Sequence, residues 1–252
     1  MSAKITIRQR RPFDNKWAQL TRRALRKSIA RVLVIHDYTD INRQDIERMV
    51  KSEPMQDNYK ALYRDVGVHF AEVALSQLKK RGAIMLTKEW SDVWAREFEA
   101  YAINKAGRRI TWVNEYTKEV VWDKMSMILK EVRSEGLSIS LTTDRIQKEL
   151  IKEMGSVERW RAMRIAQTEV LTASNRGGFV AARDSGLEMV KTWITGGQNI
   201  RPTHQQAAID NVNVPMDKPF LLAGINIEMP GDPALPPEEA INCKCTVIYD
   251  PL

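Results

Sequence analysis

Apolar residues recur at helical spacing through most of the chain's first two-thirds. Trp17, Leu20, Ala24, Leu25, Ile29, Val32 and Leu33 fall on one stripe among basic residues, which predicts an amphipathic helix near the N-terminus. From Asp57 to Lys80, Tyr59, Leu62, Tyr63, Val66, Phe70, Val73 and Leu78 form a second stripe, with Gly82 as its expected stop. A third helix is expected from about Lys88 to Ala106, carrying Trp90, Val93, Trp94, Phe98 and Tyr101 and ending at Gly107. A fourth runs from Ile110 to Arg133 up to Gly136. The stretch LSISL that follows alternates, marking a short strand or an extended connector. Thr142 or Thr143 then caps a helix to Met154 that Gly155 ends, and Ser156 caps the next, which reaches Ser185.

Beyond Gly186 the helical period is lost, Gly and Pro become frequent, and LEMVKTWIT and CTVIYD read as short strands. The expected fold class is therefore α+β, with a mainly helical N-terminal two-thirds and a small Gly/Pro-rich C-terminal region of short strands. Three segments are expected: a basic arm at 1–36, a helical region at 37–140 and a C-terminal domain at 141–252. The aromatic stripes read as core. His36 and His69 read as surface or core histidines. The run Asn175, Arg176, Gly177 and Gly178 has no strand before it, so it reads as a place of close helix packing and not as a phosphate loop.

Charge adds a partner to this picture. Residues 1–36 hold ten Lys/Arg against Asp14 alone, a net +9, while the remaining 29 basic and 31 acidic residues give −2. Arg8, Arg10, Arg11, Lys16, Arg22, Arg23, Arg26, Lys27 and Arg31 are thus candidates to meet double-stranded DNA or an acidic protein surface. The plain alternative is a solvated, mobile tail that aids solubility. No apolar run approaches the roughly 20 residues of a membrane helix, and MSAKITIRQRRPF lacks the apolar stretch of a secretory signal. No membrane partner is expected, and synthesis is expected in the cytoplasm.

One ordered set of motifs stands out: RIAQTEV at Arg164–Val170 with Thr168 and Glu169, then Asn175 and Gly177, Trp193, Arg201-Pro-Thr-His204, the PGDP of 230–233, and INCKC with Asn242, Cys243 and Cys245. This order resembles the phage Mu F-like, or head morphogenesis, minor capsid proteins of tailed bacteriophages, over roughly residues 140–252. Gln167 and Lys244 stand where that pattern usually has Arg. The resemblance implies a minor capsid protein of the virion, in the capsid interior or at the portal vertex. Its partners would be the portal protein, major capsid or scaffold proteins and double-stranded DNA, with work in head assembly and genome packaging or delivery.

Two cysteines separated only by Lys244 make no disulfide framework. On an extended chain residues i and i+2 share a face, so both thiols can meet one ion. His204 offers a third ligand and Asp232, Asp210 or Asp217 a fourth, a donor set that suits zinc. The alternative makes the thiols small buried apolar groups and His204 a hydrogen-bonding residue, with Arg201 and His204 organising the turn against a carboxylate such as Glu169. Glu169 reads as Arg-paired or capping, because no nucleophile or second acid stands near it in sequence. No catalytic residue is assigned and the chain is read as a non-enzyme. The rival reading is a metal-dependent hydrolase, nuclease or nucleotide-modifying enzyme built on the His/Cys cluster.

Overall fold

The computed structural model describes residues 3–80 and 90–252, and among these eight α-helices and six short strands make a mainly helical α+β fold. Helix α1 (Ile7–Ser28) opens on a reciprocal capping box, in which the Gln9 N–H donates to Thr6 Oγ1 at 3.3 Å and the Thr6 N–H to Gln9 Oε1 at 2.9 Å. It buries Trp17, Ala18, Thr21, Ala24, Leu25 and Ser28, so the basic segment is a packed helix with an exposed basic side and not a free tail. Helices α2 (Arg43–Met49), α3 (Glu53–Lys79), α4 (Ser91–Asn104) and α5 (Gly107–Glu135) follow. Helix α3 begins earlier than its apolar stripe because Pro54 sits in its first turn, where a missing N–H costs nothing. The expected stop at Gly82 and start at Lys88 lie outside the described residues. Gly107, expected to end α4, is instead the first residue of α5.

Helix α6 (Ile139–Asp184) is a single run of 46 residues, about 69 Å long at 1.5 Å per residue. The expected break at Gly155 and Ser156 does not occur. One interior glycine costs about 1 kcal/mol relative to Ala, and both halves of α6 are anchored: Ile146 and Leu150 in one hydrophobic cluster, Ala162 through Ala182 in another. Its N-cap is Ser138, whose Oγ accepts from the Leu141 N–H, and Thr142 and Thr143 lie inside the helix. The stretch LSISL is therefore no strand. Gly136 closes α5 with a φ of 65°, Leu137 and Ser138 connect, and helix resumes at Ile139.

The two strands expected at the C-terminal end form the centre of an antiparallel sheet. Strand β2 (Met189–Ile194) pairs with β6 (Thr246–Pro251) in a register that sets Trp193 opposite Val247. Strand β1 (Ala3–Lys4) pairs with β6, and β3 (Val214–Pro215) with β2, giving the order β1-β6-β2-β3. A hairpin of β4 (Phe220–Leu222) and β5 (Ile225–Ile227) turns on Ala223 and Gly224, both at positive φ (50° and 79°), as a two-residue type I′ loop requires. Two short helices, α7 (Pro202–Asp210) and α8 (Pro237–Ala240), lie in the loops around this sheet.

The larger hydrophobic cluster takes Leu25 from α1, Phe70 from α3, Phe98 from α4, Val170 from α6 and Trp193 from β2, so all three sequence segments share one interior. The smaller joins Ile29, Val32, Ile46, Val121, Ile128 and Ile146. Helices α3 and α6 approach so closely that a Cβ at Gly177 would lie 2.5 Å from the Gly67 carbonyl oxygen and 2.9 Å from the Ala71 nitrogen. Glycine at 177 is thus a packing requirement.

Candidate functional site

Helix α7 opens with Pro202 in its first turn and carries His204 inward, so the expected R-x-x-H turn is a nine-residue helix. Cys243 and Cys245 lie just before β6, after Asn242 turns the chain with a φ of 59°. Asn tolerates that left-handed backbone better than most residues. The alternation expected of a strand survives here, and both thiols face one imidazole. His204 Nδ1 stands 3.3 Å from Cys245 Sγ and 3.6 Å from Cys243 Sγ, and all three residues are buried. Trp193 closes the site edge-on to the ring, with centroids 5.7 Å apart.

On the opposite edge of the imidazole, Nε2 is 2.9 Å from Glu239 Oε2, which also accepts from Thr203 Oγ1 at 2.9 Å. Glu239 was not anticipated from the sequence. Its only signal is its place in the PPEE start of α8, shortly before INCKC. The expected carboxylate ligands do not join the cluster. Asp232 accepts from the Glu228 and Ala234 N–H groups within its own loop, Asp210 from the Gln206 side chain, and Asp217 pairs with Lys218. Hydrogen bonding to Cys245, together with burial, pushes the Cys243 thiol up; donation from Cys243 brings Cys245 down against its burial. Burial pulls the His204 imidazole down, but the hydrogen bond and charge of Cys243 and the charge of Glu239 outweigh it, and the net direction is up.

A second polar network explains the RIAQTEV motif. Glu169, 2 % exposed, pairs with Arg109 of α5 at 3.3 Å and accepts from the Tyr63 hydroxyl at 2.6 Å. Arg109 also donates to Thr172 Oγ1 (3.1 Å) and to the carbonyls of Gly231 (2.9 Å) and Asp232 (3.1 Å), which ties the PGDP loop to α5 and α6. Asn175 donates to the Pro230 and Cys245 carbonyls and accepts from Thr246 Oγ1. Thr168 donates to the Arg164 carbonyl, and the Arg164 guanidinium lies 3.5 Å over the Trp160 ring. Glu169 is thus Arg-paired as expected, but to Arg109; Arg201 donates to the Ile241 carbonyl instead. Sixty residues separate Arg109 from Glu169, and no local pattern links them.

The basic residues divide. Arg8, Arg11, Arg23, Arg26, Lys27 and Arg31 are exposed, and Lys16 pairs with Asp65 at 2.7 Å. Arg22, Arg23 and Arg26 join Arg159 of α6 along an open groove. Arg10 departs from this face. It is 4 % exposed and donates to the Lys244 carbonyl between the two cysteines.

This arrangement defines a helical protein whose longest helix is locked to a small C-terminal sheet by buried polar contacts, with a thiol–imidazole cluster at the junction. Residues 128–248, just under half of the chain, match the family described as Phage Mu protein F like protein, and across that stretch the chain is similar to that family. The match begins somewhat before the expected boundary, within α5. The chain is 26% identical over 148 residues to the uncharacterized protein YqbB of Bacillus subtilis (strain 168), covering 56% of this chain and 48% of that protein. It therefore spans about half the length of the curated relative it matches. No solved structure matches the chain. Among the described residues no helix is long and apolar enough to cross a membrane.

Proposed function

We propose that the chain is a minor head protein that takes its place at the portal vertex of a tailed phage, holding DNA on one side and a protein neighbour on another. The observation that carries the reading is the match of residues 128–248 to the phage Mu F-like family, and two surfaces give it physical content. The groove lined by Arg22, Arg23, Arg26 and Arg159 brings four arginines together, a composition suited to a phosphate backbone. Around α5 and α6, Trp112, Tyr116 and Trp160 are 41%, 52% and 59% exposed, with Arg161 over Tyr116 and Arg164 over Trp160. Exposed aromatic and arginine side chains in one patch are the composition of a protein contact. Major capsid or scaffold proteins would meet the particle's other faces. The chain acts here by binding, without turnover.

The test is a salt titration of duplex-DNA binding. Binding by the full chain should weaken steeply with salt, and Arg23→Ala with Arg159→Ala should flatten the slope of log K against log salt by about 0.9 for each phosphate no longer neutralised. An unchanged slope removes DNA from the reading. Capture of the portal protein by the full chain, abolished by Trp112→Ala with Trp160→Ala, tests the other surface.

A further inference from the structure

We propose that His204, Cys243 and Cys245 form a zinc site, with Glu239 as the carboxylate that orients the imidazole. The nitrogen and the two sulfurs lie within 4.8 Å of one another, and every member is buried. An ionised carboxylate only accepts hydrogen bonds, so Glu239 at 2.9 Å fixes the proton of neutral His204 on Nε2. The Nδ1 lone pair then points between the two sulfurs. That tautomer, with its far N–H on a carboxylate, is the arrangement by which metal-bound histidines are held. The spacing agrees as well: Zn–S of about 2.3 Å and Zn–N of about 2.05 Å at a tetrahedral angle put nitrogen and sulfur about 3.6 Å apart, and the observed separations are 3.3 and 3.6 Å.

Two sulfurs and one nitrogen are a donor set that selects zinc over magnesium or calcium. Among the described residues no fourth His, Cys, Asp or Glu joins the three, and Glu239 lies on the wrong edge of the ring to do so while it holds Nε2. The fourth position falls to water. Binding converts two thiols and one Zn²⁺ into a dithiolate complex and releases two protons, so affinity rises with pH. The ion would pin α7 to the lead-in of β6, beside the Arg201 contact to the Ile241 carbonyl and the Asn175 contact that ties the Cys245 carbonyl to α6. This inference is independent of the head-assembly reading and stands or falls separately from it.

Metal content and cobalt substitution of the purified full chain test it. We expect one zinc per chain, and after chelation and Co²⁺ addition an intense sulfur-to-cobalt charge-transfer band with the visible bands of a tetrahedral ion, displaced by Zn²⁺. Cys243→Ser and Cys245→Ser should each weaken that band. Glu239→Gln should keep the spectrum while lowering Co²⁺ affinity about 10- to 100-fold. Should the cysteine variants fail to fold, the wild-type chain still decides: bound zinc should protect both thiols from alkylation and be released as a mercurial titrates them. A folded wild-type chain that takes up neither Zn²⁺ nor Co²⁺, or whose thiols alkylate equally fast with and without zinc, overturns the proposal.

Discussion

Replacing Glu169 with Ala removes the counter-charge of an arginine that is itself 5 % exposed, and the same stroke orphans the Tyr63 hydroxyl. Burial disfavours the Arg109 charge, while Glu169 and the tyrosines around it favour it more strongly, so the guanidinium is held above its ordinary value and cannot escape by losing its proton. Breaking a buried pair by removing one partner costs about 3–5 kcal/mol, and an unpaired buried hydroxyl adds about 1–3 kcal/mol. The two losses overlap at one site and should not be summed. We therefore expect a loss of roughly 4 kcal/mol for Glu169→Ala, which at 2–4 °C per kcal/mol lowers Tm by about 8–16 °C. Urea unfolding followed by tryptophan fluorescence measures it. Arg109→Met alone should cost a similar amount, because it strands the buried Glu169 carboxylate and takes the donor from the Gly231 and Asp232 carbonyls. In the double variant of Arg109→Met with Glu169→Ala, the coupling between the two positions should reach about 2 kcal/mol or more. A Glu169→Ala loss under about 1 kcal/mol, or a coupling near zero, refutes the claim that this pair holds the PGDP loop.

Two further outcomes follow from buried groups. Lys191 is 1% exposed, donates to the Glu228 carbonyl and is pushed down to about 8 by burial, with the charge of Glu228 opposing. The folded chain then binds fewer protons than the unfolded one between about pH 8 and 10.5, so stability should rise with pH across that window. Lys191→Met should abolish that rise; urea midpoints at pH 7.5 and 10 check it. Gly177→Ala should cost about 1–3 kcal/mol by forcing α3 and α6 apart, whereas Gly107→Ala, where an added Cβ meets nothing within 4 Å, should stabilise by up to about 1 kcal/mol; thermal melts of both decide it.

Helix positions were legible wherever one face is buried, because the 3.6-residue period then reaches the sequence directly. The stops were less so. Reading a glycine as a helix stop works at Gly136, where φ is 65°, but fails at Gly107 and Gly155, where the same residue sits inside or at the start of a helix. What separates them is tertiary: α6 is held on both sides of Gly155 by different clusters. The Cys243, Cys245 and His204 grouping was readable from the i, i+2 rule and one distant histidine. Glu239 was hidden because a carboxylate that orients a histidine has no required spacing from it. Arg109 and Tyr63 were hidden for the same reason, and Arg10 looked like its basic neighbours although it turns inward to the Lys244 carbonyl.

The unbroken run of α6 sets a rule for anyone cutting or recombining this chain. The family match begins partway along α5, yet the apolar flank of α6 is sheltered by α1 and α3, which precede that boundary. A fragment trimmed to the recognisable half would arrive as a bare rod with its greasy side in water, prone to clump. Chimeras between relatives should accordingly be spliced so that those two leading helices travel with the rod they shield.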